Sequence, residues 1–253
     1  MTKNALKTAE STAVATTEVD DILNQYAGAG TSASTEHNVV PMIYTLQSNS
    51  PQVNKRGDGY IEGAEAGDIW LKNYTHPIVK GEEGVLFQPV AFQWSHVEWK
   101  PDRGGFVAAH DVRPADAVQK QLDPNDDRVS WVRANGNIVV DTCYVYGIVA
   151  GEAPYVIPLS SSGYSVARNW NSNARARKHN GKPLPLFATQ YRLKTAYRKN
   201  ERGEWYVLSP EFVEGLPSRE QIEAGLEFFK SVTSGEKKAE AEVSTHGDTE
   251  IPF

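Results

Sequence analysis

The chain has 253 residues, of which 40% are hydrophobic and 10% aromatic, enough for one large β domain with tails or for two small domains. Its one cysteine, Cys143, excludes an intrachain disulfide, and no apolar run is long enough to cross a membrane. The amino terminus lacks the apolar core of a signal peptide. These features predict a cytosolic protein that makes no membrane contact.

Residues 1–38 are rich in Ala, Thr, Ser and Glu, and this composition predicts disorder. Val19, Ile22, Leu23 and Tyr26 nevertheless have the spacing of a short amphipathic helix. Two interpretations stay open at this point, a docking segment and a chance periodicity in a tail.

Folded structure is predicted to begin near Val39. β-branched and aromatic residues, separated by turn signals, predict strands at 39–46, 68–71, 85–99, 129–133, 138–150 and 155–159. Cys143 lies in one of these apolar runs and is expected to be a small buried residue rather than a nucleophile. The polar segment 113–128 does not supply the glycine and the glutamate that a calcium-binding loop needs at fixed positions. We therefore expect a solvated loop there.

Two helices are predicted. The first runs from Ser162 to Lys178, with an N-cap from the serines 160–162 and an apolar side of Val166, Ala167, Trp170 and Ala174. The second begins at the capping-box pattern of residues 218–221 and is expected to dock through Ile222, Leu226 and Phe229.

The segment from Tyr164 to Gly203 is strongly basic within an acidic chain. It holds ten Lys and Arg against Glu201, a net charge of +9, whereas the whole chain carries −6. Segregated positive charge of this size indicates a polyanionic partner, and nucleic acid is the most common one. The alternative is a solvated basic face. On that interpretation Arg175, Arg177 and Lys178 are present because cations interact favourably with the negative end of the helix dipole.

Part of this segment has the alternation of a β-ribbon. Residues 186–199 form one strand, 200–203 a hairpin turn and 204–212 the return strand. One face of the first strand carries Tyr191, Leu193, Thr195 and Tyr197, and the other carries Arg192, Lys194, Ala196 and Arg198. Three cations on one face would follow the phosphates of a bound strand.

Aromatic residues lie near these cations, and bases stack on aromatic rings in proteins that bind single strands. The candidates for phosphate contacts are Arg168, Arg175, Arg177, Lys178, Arg192, Lys194, Arg198 and Lys199. The candidates for stacking are Trp94, Trp99, Trp170, Tyr191 and Tyr197. We expect at least half of these rings to be core residues.

The sequence contains no glycine-rich phosphate loop, no nucleophile elbow and no histidine or cysteine cluster with metal-ligand spacing. We therefore expect no enzyme activity, no cofactor and no metal site. A nuclease centre built from Glu62, Asp68, His110 and Asp111 is the alternative, and it is disfavoured because carboxylates near turns are usually solvated.

The last residues resemble the acidic tip of bacterial single-stranded DNA-binding proteins, which ends in Ile-Pro-Phe. In this chain the tip is Asp248, Glu250, Ile251, Pro252 and Phe253, with fewer acids than that family has. The resemblance implies docking of the terminal phenylalanine on replication and recombination proteins. Apolar burial by Phe253 and charge from its carboxylate fit such docking.

The body of the chain resembles a phage family of single-stranded DNA-binding proteins. The resemblance lies in the order of several short segments, 50–53, 60–68, 97–101, 104–111, 165–171, 191–193 and 204–206. It implies a mainly β fold, an oligonucleotide-binding (OB-fold) barrel with an inserted helix, extra hairpins and a carboxy-terminal helix. The predicted organisation is a disordered segment at 1–38, this domain at 39–232 and a disordered acidic tail at 233–253.

Together these patterns predict a protein that binds single-stranded DNA without sequence preference during phage DNA replication, recombination and repair, in the cytoplasm of an infected bacterial host. The alternative is an interaction protein without DNA affinity that acts through its tip, on host replication enzymes or in the virion. Whether the chain forms a homo-oligomer is left open.

Overall fold

The computed structural model describes residues 39–101, 104–122, 129–149, 153–201 and 203–239. The predicted amino-terminal segment, residues 123–128 of the polar segment and the carboxy-terminal tip lie outside these residues. Within them, no helix is long and apolar enough to span a membrane.

The described chain is mainly β, as predicted. Its strands are β1 Val39–Val40, β2 Ile43–Thr45, β3 Ile69–Leu71, β4 Ile78–Val79, β5 Val85–Trp99, β6 Phe106–His110, β7 Val118–Gln121, β8 Val129–Val132, β9 Ile138–Val149, β10 Pro154–Ser160, β11 Lys178–His179, β12 Lys182–Pro183, β13 Gln190–Asn200, β14 Gly203–Val213 and β15 Lys238–Ala239. The helices are α1 Ser162–Arg175, a 3₁₀ helix Leu186–Ala188 and α2 Arg219–Thr233.

Eight strands form one sheet in the order β14-β13-β5-β9-β8-β7, with β10 paired to β9 and β6 paired to β5. β2, β3 and β4 form a second, three-stranded sheet. The described strands show no ladder that closes the large sheet, so the OB-fold barrel stays a prediction.

β5 is the central strand and holds the sheet together. It pairs with β13 at its start, with β9 along most of its length and with β6 at its end. The register shifts between Pro89 and Ala91. A shift fits this place because proline has no N–H to donate to the ladder.

One face of the large sheet packs under α1. Ala167, Trp170 and Ala174, three of the four predicted apolar residues of this helix, are buried there. Cys143 is fully buried in the same cluster, and burial raises the pKa of its thiol to about 12. A thiol that stays protonated is a poor nucleophile, so Cys143 is the apolar core residue that the sequence predicts.

The opposite face packs under α2, and the predicted capping box is confirmed. The Ser218 hydroxyl accepts from the Gln221 backbone N–H, and the Gln221 side chain accepts from the Ser218 N–H. Phe228 is the most deeply buried side chain of the helix, whereas the predicted Phe229 is only partly buried. Regular structure also continues past residue 233, where we expected a disordered tail, because β15 pairs with β1.

The structure differs from the local predictions at several further places. α1 ends at Arg175, so Lys178 lies in the short β11–β12 hairpin instead, with Asn180 and Gly181 at positive φ in its turn. Residues 186–188 form a 3₁₀ helix rather than the start of a strand. The polar segment expected as a loop contains β7, whose backbone pairs with β8 although its side chains are exposed.

Candidate nucleic-acid interface

The β13–β14 hairpin is the predicted ribbon, and its register fixes which side chains share a face. Asn200 pairs with Gly203 at the turn, and Arg198 pairs with Trp205. Arg192, Lys194 and Arg198 lie on one face, as predicted, and this face is here called the cation face. Tyr191 and Tyr197 lie on the other face.

At one end of the cation face, positively and negatively charged side chains lie next to each other. Arg192 pairs in register with Glu211, and the Lys194 Nζ lies 2.9 Å from a Glu211 carboxylate oxygen. Arg192 and Arg198 are exposed, and their separation of six residues along the strand is about 20 Å. The face therefore offers two exposed guanidinium groups, with a lysine between them that is already paired to an acid.

Trp205 is the aromatic residue on the cation face, and the list of stacking candidates missed it. It lies directly across from Arg198 and is half-buried. The signal was present in the sequence, because the predicted hairpin turn at 200–203 places Trp205 opposite Arg198.

Lys199 and Tyr197 lie on the face that turns away from Arg192 and Arg198. Lys199 pairs with Glu204, and the Tyr197 hydroxyl donates to a Glu204 oxygen at 2.5 Å. This hydrogen bond raises the pKa of Tyr197. The Tyr197 ring also packs edge-on against Tyr206, with centroids 5.5 Å apart. These two candidates share no surface with the cation face.

Three of the five stacking candidates are core residues. Trp99, Trp170 and Tyr191 are each less than 5% exposed. Trp170 packs edge-on against Tyr191 and against Phe92. Their rings have no open face for a base, which agrees with the expectation that at least half would be core. Trp94 is partly buried against Tyr164.

The remaining basic candidates form a second group, on α1 and the β11–β12 hairpin. Arg168, Arg175 and Lys178 are exposed. The Arg177 guanidinium lies over the Phe212 ring, 3.9 Å from its centroid. This contact is worth about 0.5–2 kcal/mol and gives Arg177 a packing role besides its charge.

A cleft with a volume of about 620 Å³ runs beside β14. One wall is β14 from Glu204 to Leu208. The others are residues within 43–49, the junction of β10 with α1 at 157–163, and Trp99 of β5 with Val140, Thr142 and Tyr144 of β9. Ser161, at this junction, has φ of 50° and makes no side-chain cap bond to α1. The prediction that a serine side chain caps α1 is therefore wrong. Ser161 instead leads the chain into the helix with a positive φ.

A sequence profile of the Pam3 phage gp34-like protein family matches residues 9–238, about nine-tenths of the chain. The chain belongs to this family. It is therefore a phage protein, as the resemblance implied. The matched residues include the ribbon and the cleft and end before the carboxy-terminal tip. No curated protein and no solved structure matches the chain.

A network of charges around the buried Glu98 of this gp34-like protein joins the ends of β5, β6 and β8. The Glu98 carboxylate, 2% exposed, accepts from His110 and Arg133, each at 2.8 Å. Burial raises the pKa of Glu98, but hydrogen bonds from Asn137, His110 and Arg133 outweigh it and leave the pKa below its ordinary value. The partners of Glu98 therefore stabilise its negative charge.

A neighbouring site holds Asp141 in the same way. The Arg113 guanidinium donates twice to this carboxylate, at 2.7 and 2.8 Å, and His96 Nδ1 lies 2.7 Å from it. Burial raises the pKa of Asp141, and the bonds from Arg113 and His96 lower it further than burial raises it.

Two of the four residues weighed for a nuclease centre, Asp68 and His110, are engaged elsewhere. His110 is bound to Glu98, and Asp68 accepts from the Lys80 ammonium and the Glu65 N–H at 3.0 and 2.9 Å. In the part of the chain that the structure describes, no group of three or more His, Cys, Asp or Glu is placed to hold a metal ion.

Proposed function

We propose that this phage protein binds single-stranded DNA without sequence preference and acts as a binding protein rather than an enzyme. The observation that carries the proposal is the cation face, where Arg192, Lys194 and Arg198 lie along one strand with Trp205 across from Arg198. Guanidinium groups that follow the phosphates, beside a ring on which a base can stack, are the common elements of single-strand sites.

The exposed cations of the second group would form a separate phosphate-binding surface, because α1 packs on the face of β13 that carries Tyr191, opposite the cation face. Arg168, Arg175 and Lys178 would hold further phosphates, and each neutralised phosphate of a single strand lowers log K by about 0.7 per unit of log salt concentration. The protein would act in the cytoplasm of the infected bacterium, where replication and recombination expose single strands.

A fluorescence titration with a labelled oligo-dT strand and with the matching duplex, across a salt series, tests the proposal. We expect tight binding of the single strand, weak binding of the duplex, and a negative slope of log K against log salt. Absence of single-strand binding at low salt would reject the proposal.

A second candidate function rests on the tip, whose last residues are Ile251, Pro252 and Phe253. In this alternative the chain is an interaction protein without DNA affinity, which docks its tip on a replication or recombination protein. Deleting the three residues separates the two functions. A DNA-binding protein keeps or increases its affinity for single strands, because the tip no longer competes with DNA, whereas a protein that acts only through its tip loses its partner.

A further inference from the structure

The cleft beside β14 has a size and lining that differ from those of the cation face. Its volume of about 620 Å³ falls within the range of small-ligand sites, ~300–1,000 Å³. No Lys or Arg among the described residues lines it, and Glu204 is its one acidic lining residue. A lining without cations suits an uncharged aromatic group better than a phosphate.

Three half-buried aromatic residues line the cleft, and neighbouring residues fix the positions of two of them. Tyr44 is stacked on Trp70, with centroids 5.4 Å apart and an angle of 25° between the rings. The Tyr206 ring lies against the backbone of Gly67, where a Cβ would come within 2.6 Å of the ring. Trp205 completes the set. Rings that are already ordered lose little conformational entropy when a flat ligand stacks on them.

Polar groups are available beside these rings. The indole N–H of Trp205 is buried and has no hydrogen-bond partner among the described residues. Hydroxyls of Thr45, Ser48 and Ser162 line the cleft as well. Flat rings with carbonyl oxygens and ring nitrogens at their edges are the chemistry of nucleobases.

Trp205 connects the cleft to the cation face, because it lines the cleft and lies opposite Arg198. We propose that the cleft receives one unstacked base of the single strand whose phosphates lie along Arg192, Lys194 and Arg198. This inference rests on the proposed function and adds to it the place where a base enters the protein. The phosphate of that nucleotide stays outside, on Arg198.

Photocross-linking of the full chain locates the base. An oligo-dT strand with one 5-iodouracil is bound, irradiated and digested, and the modified peptide is identified by mass spectrometry. We expect modification of Tyr44, Trp205 or Tyr206. Trp205→Ala should remove most of the cross-link and weaken binding about 5- to 150-fold, the range that stacking of one base gives.

Two further variants keep the test independent of folding. Ser162→Trp places a bulky ring in the cleft from an exposed position of α1 and should weaken binding similarly. Trp131→Ala is the matched control, since Trp131 lies on β8 under the Arg113 guanidinium, and it should leave the affinity within about 2-fold.

The outcomes separate the two proposals. Cross-links outside the cleft, together with normal affinity of both cleft variants, would overturn the base site and leave single-strand binding intact. Absence of binding by the unmodified protein would overturn both. If free 5-iodo-dUMP binds as tightly as the oligonucleotide, the cleft is a mononucleotide site and the role in strand binding is rejected.

Discussion

The side-chain amide of Gln47 pairs with the backbone of Tyr206 as a neighbouring strand would. Gln47 Nε2 donates to the Tyr206 carbonyl at 3.0 Å, and its Oε1 accepts from the Tyr206 N–H at 2.9 Å. These two groups lie on the free edge of β14, which has β13 as its one strand neighbour in the described sheet. The amide therefore fixes the edge beside Trp205 and joins two walls of the cleft.

Replacing Gln47 tests this relationship. Gln47→Ala leaves a backbone donor and an acceptor without their partner, so we expect the free energy of unfolding to fall by about 1–3 kcal/mol. Gln47→Glu should cost more, because a carboxylate cannot donate and would face the Tyr206 carbonyl. Urea denaturation measures both, with Gln119→Ala on the exposed strand β7 as the control. Equal stability of Gln47→Ala and the unmodified protein would show that the pair is unimportant.

The charge arrangement of the cation face predicts opposite effects from two substitutions. Glu211→Ala removes the acid that pairs with Lys194 and should tighten single-strand binding, while Arg198→Ala should weaken it. Arg198→Ala should also make the salt slope shallower by about 0.7, the value for one phosphate contact.

Lys199→Ala is the matched control for Arg198→Ala, since the two are neighbours on β13 that point to opposite faces. Fluorescence titration at three salt concentrations compares them. If both variants lose the same affinity, the cation face is not the phosphate track, and general electrostatic attraction accounts for binding.

Substitutions of Trp170 distinguish a role in the core from a role in base stacking. Its ring is 3% exposed and packs against Phe87, Phe92 and Tyr191, so Trp170→Ala should lower the free energy of unfolding by about 3–5 kcal/mol. Thermal and urea unfolding measure this loss. Trp170→Phe should recover part of the stability and bind DNA normally. A stable Trp170→Ala protein with weakened DNA binding would show that the ring stacks bases after all.

The lowered pKa of Glu98 predicts a specific loss of stability in acid. A carboxylate whose pKa is lower in the folded state stabilises the fold above its unfolded pKa, about 4.3 for glutamate, and this contribution is lost as the pH falls through the folded pKa. The unmodified protein should therefore lose stability below about pH 4.5 more steeply than Glu98→Gln. Urea denaturation between pH 7 and pH 3 gives both curves; parallel curves would contradict the prediction.

Much of the local structure follows from short-range patterns. The strand β5 has the bounds that its apolar run predicts, and the capping box at Ser218 and Gln221 forms as its residue types favour. The alternation of β13 places Arg192, Lys194 and Arg198 together because successive side chains of a strand point to opposite faces. Each of these features depends on residues that are close together in the sequence.

Other features of the structure could not be predicted from local sequence patterns. The sequence did not show which rings would be core: Trp170 lies in the basic segment and Trp205 just after it, yet Trp170 is buried on the inner side of α1 and Trp205 lines the cleft. Lys178 left the predicted helix because residues 178–183 pair with each other as a hairpin. Burial against distant elements decides such cases.

By itself, the sequence determined a mainly β chain with a segregated basic segment and a ribbon whose cations share a face, because strand periodicity and charge are properties of neighbouring residues. The tertiary structure alone decided the cleft. Its walls come from residues as far apart as Gln47 and Tyr206, which are separated by 159 positions. The folded chain brings them together through the burial of apolar surface, which offsets the entropy of closing so long a loop.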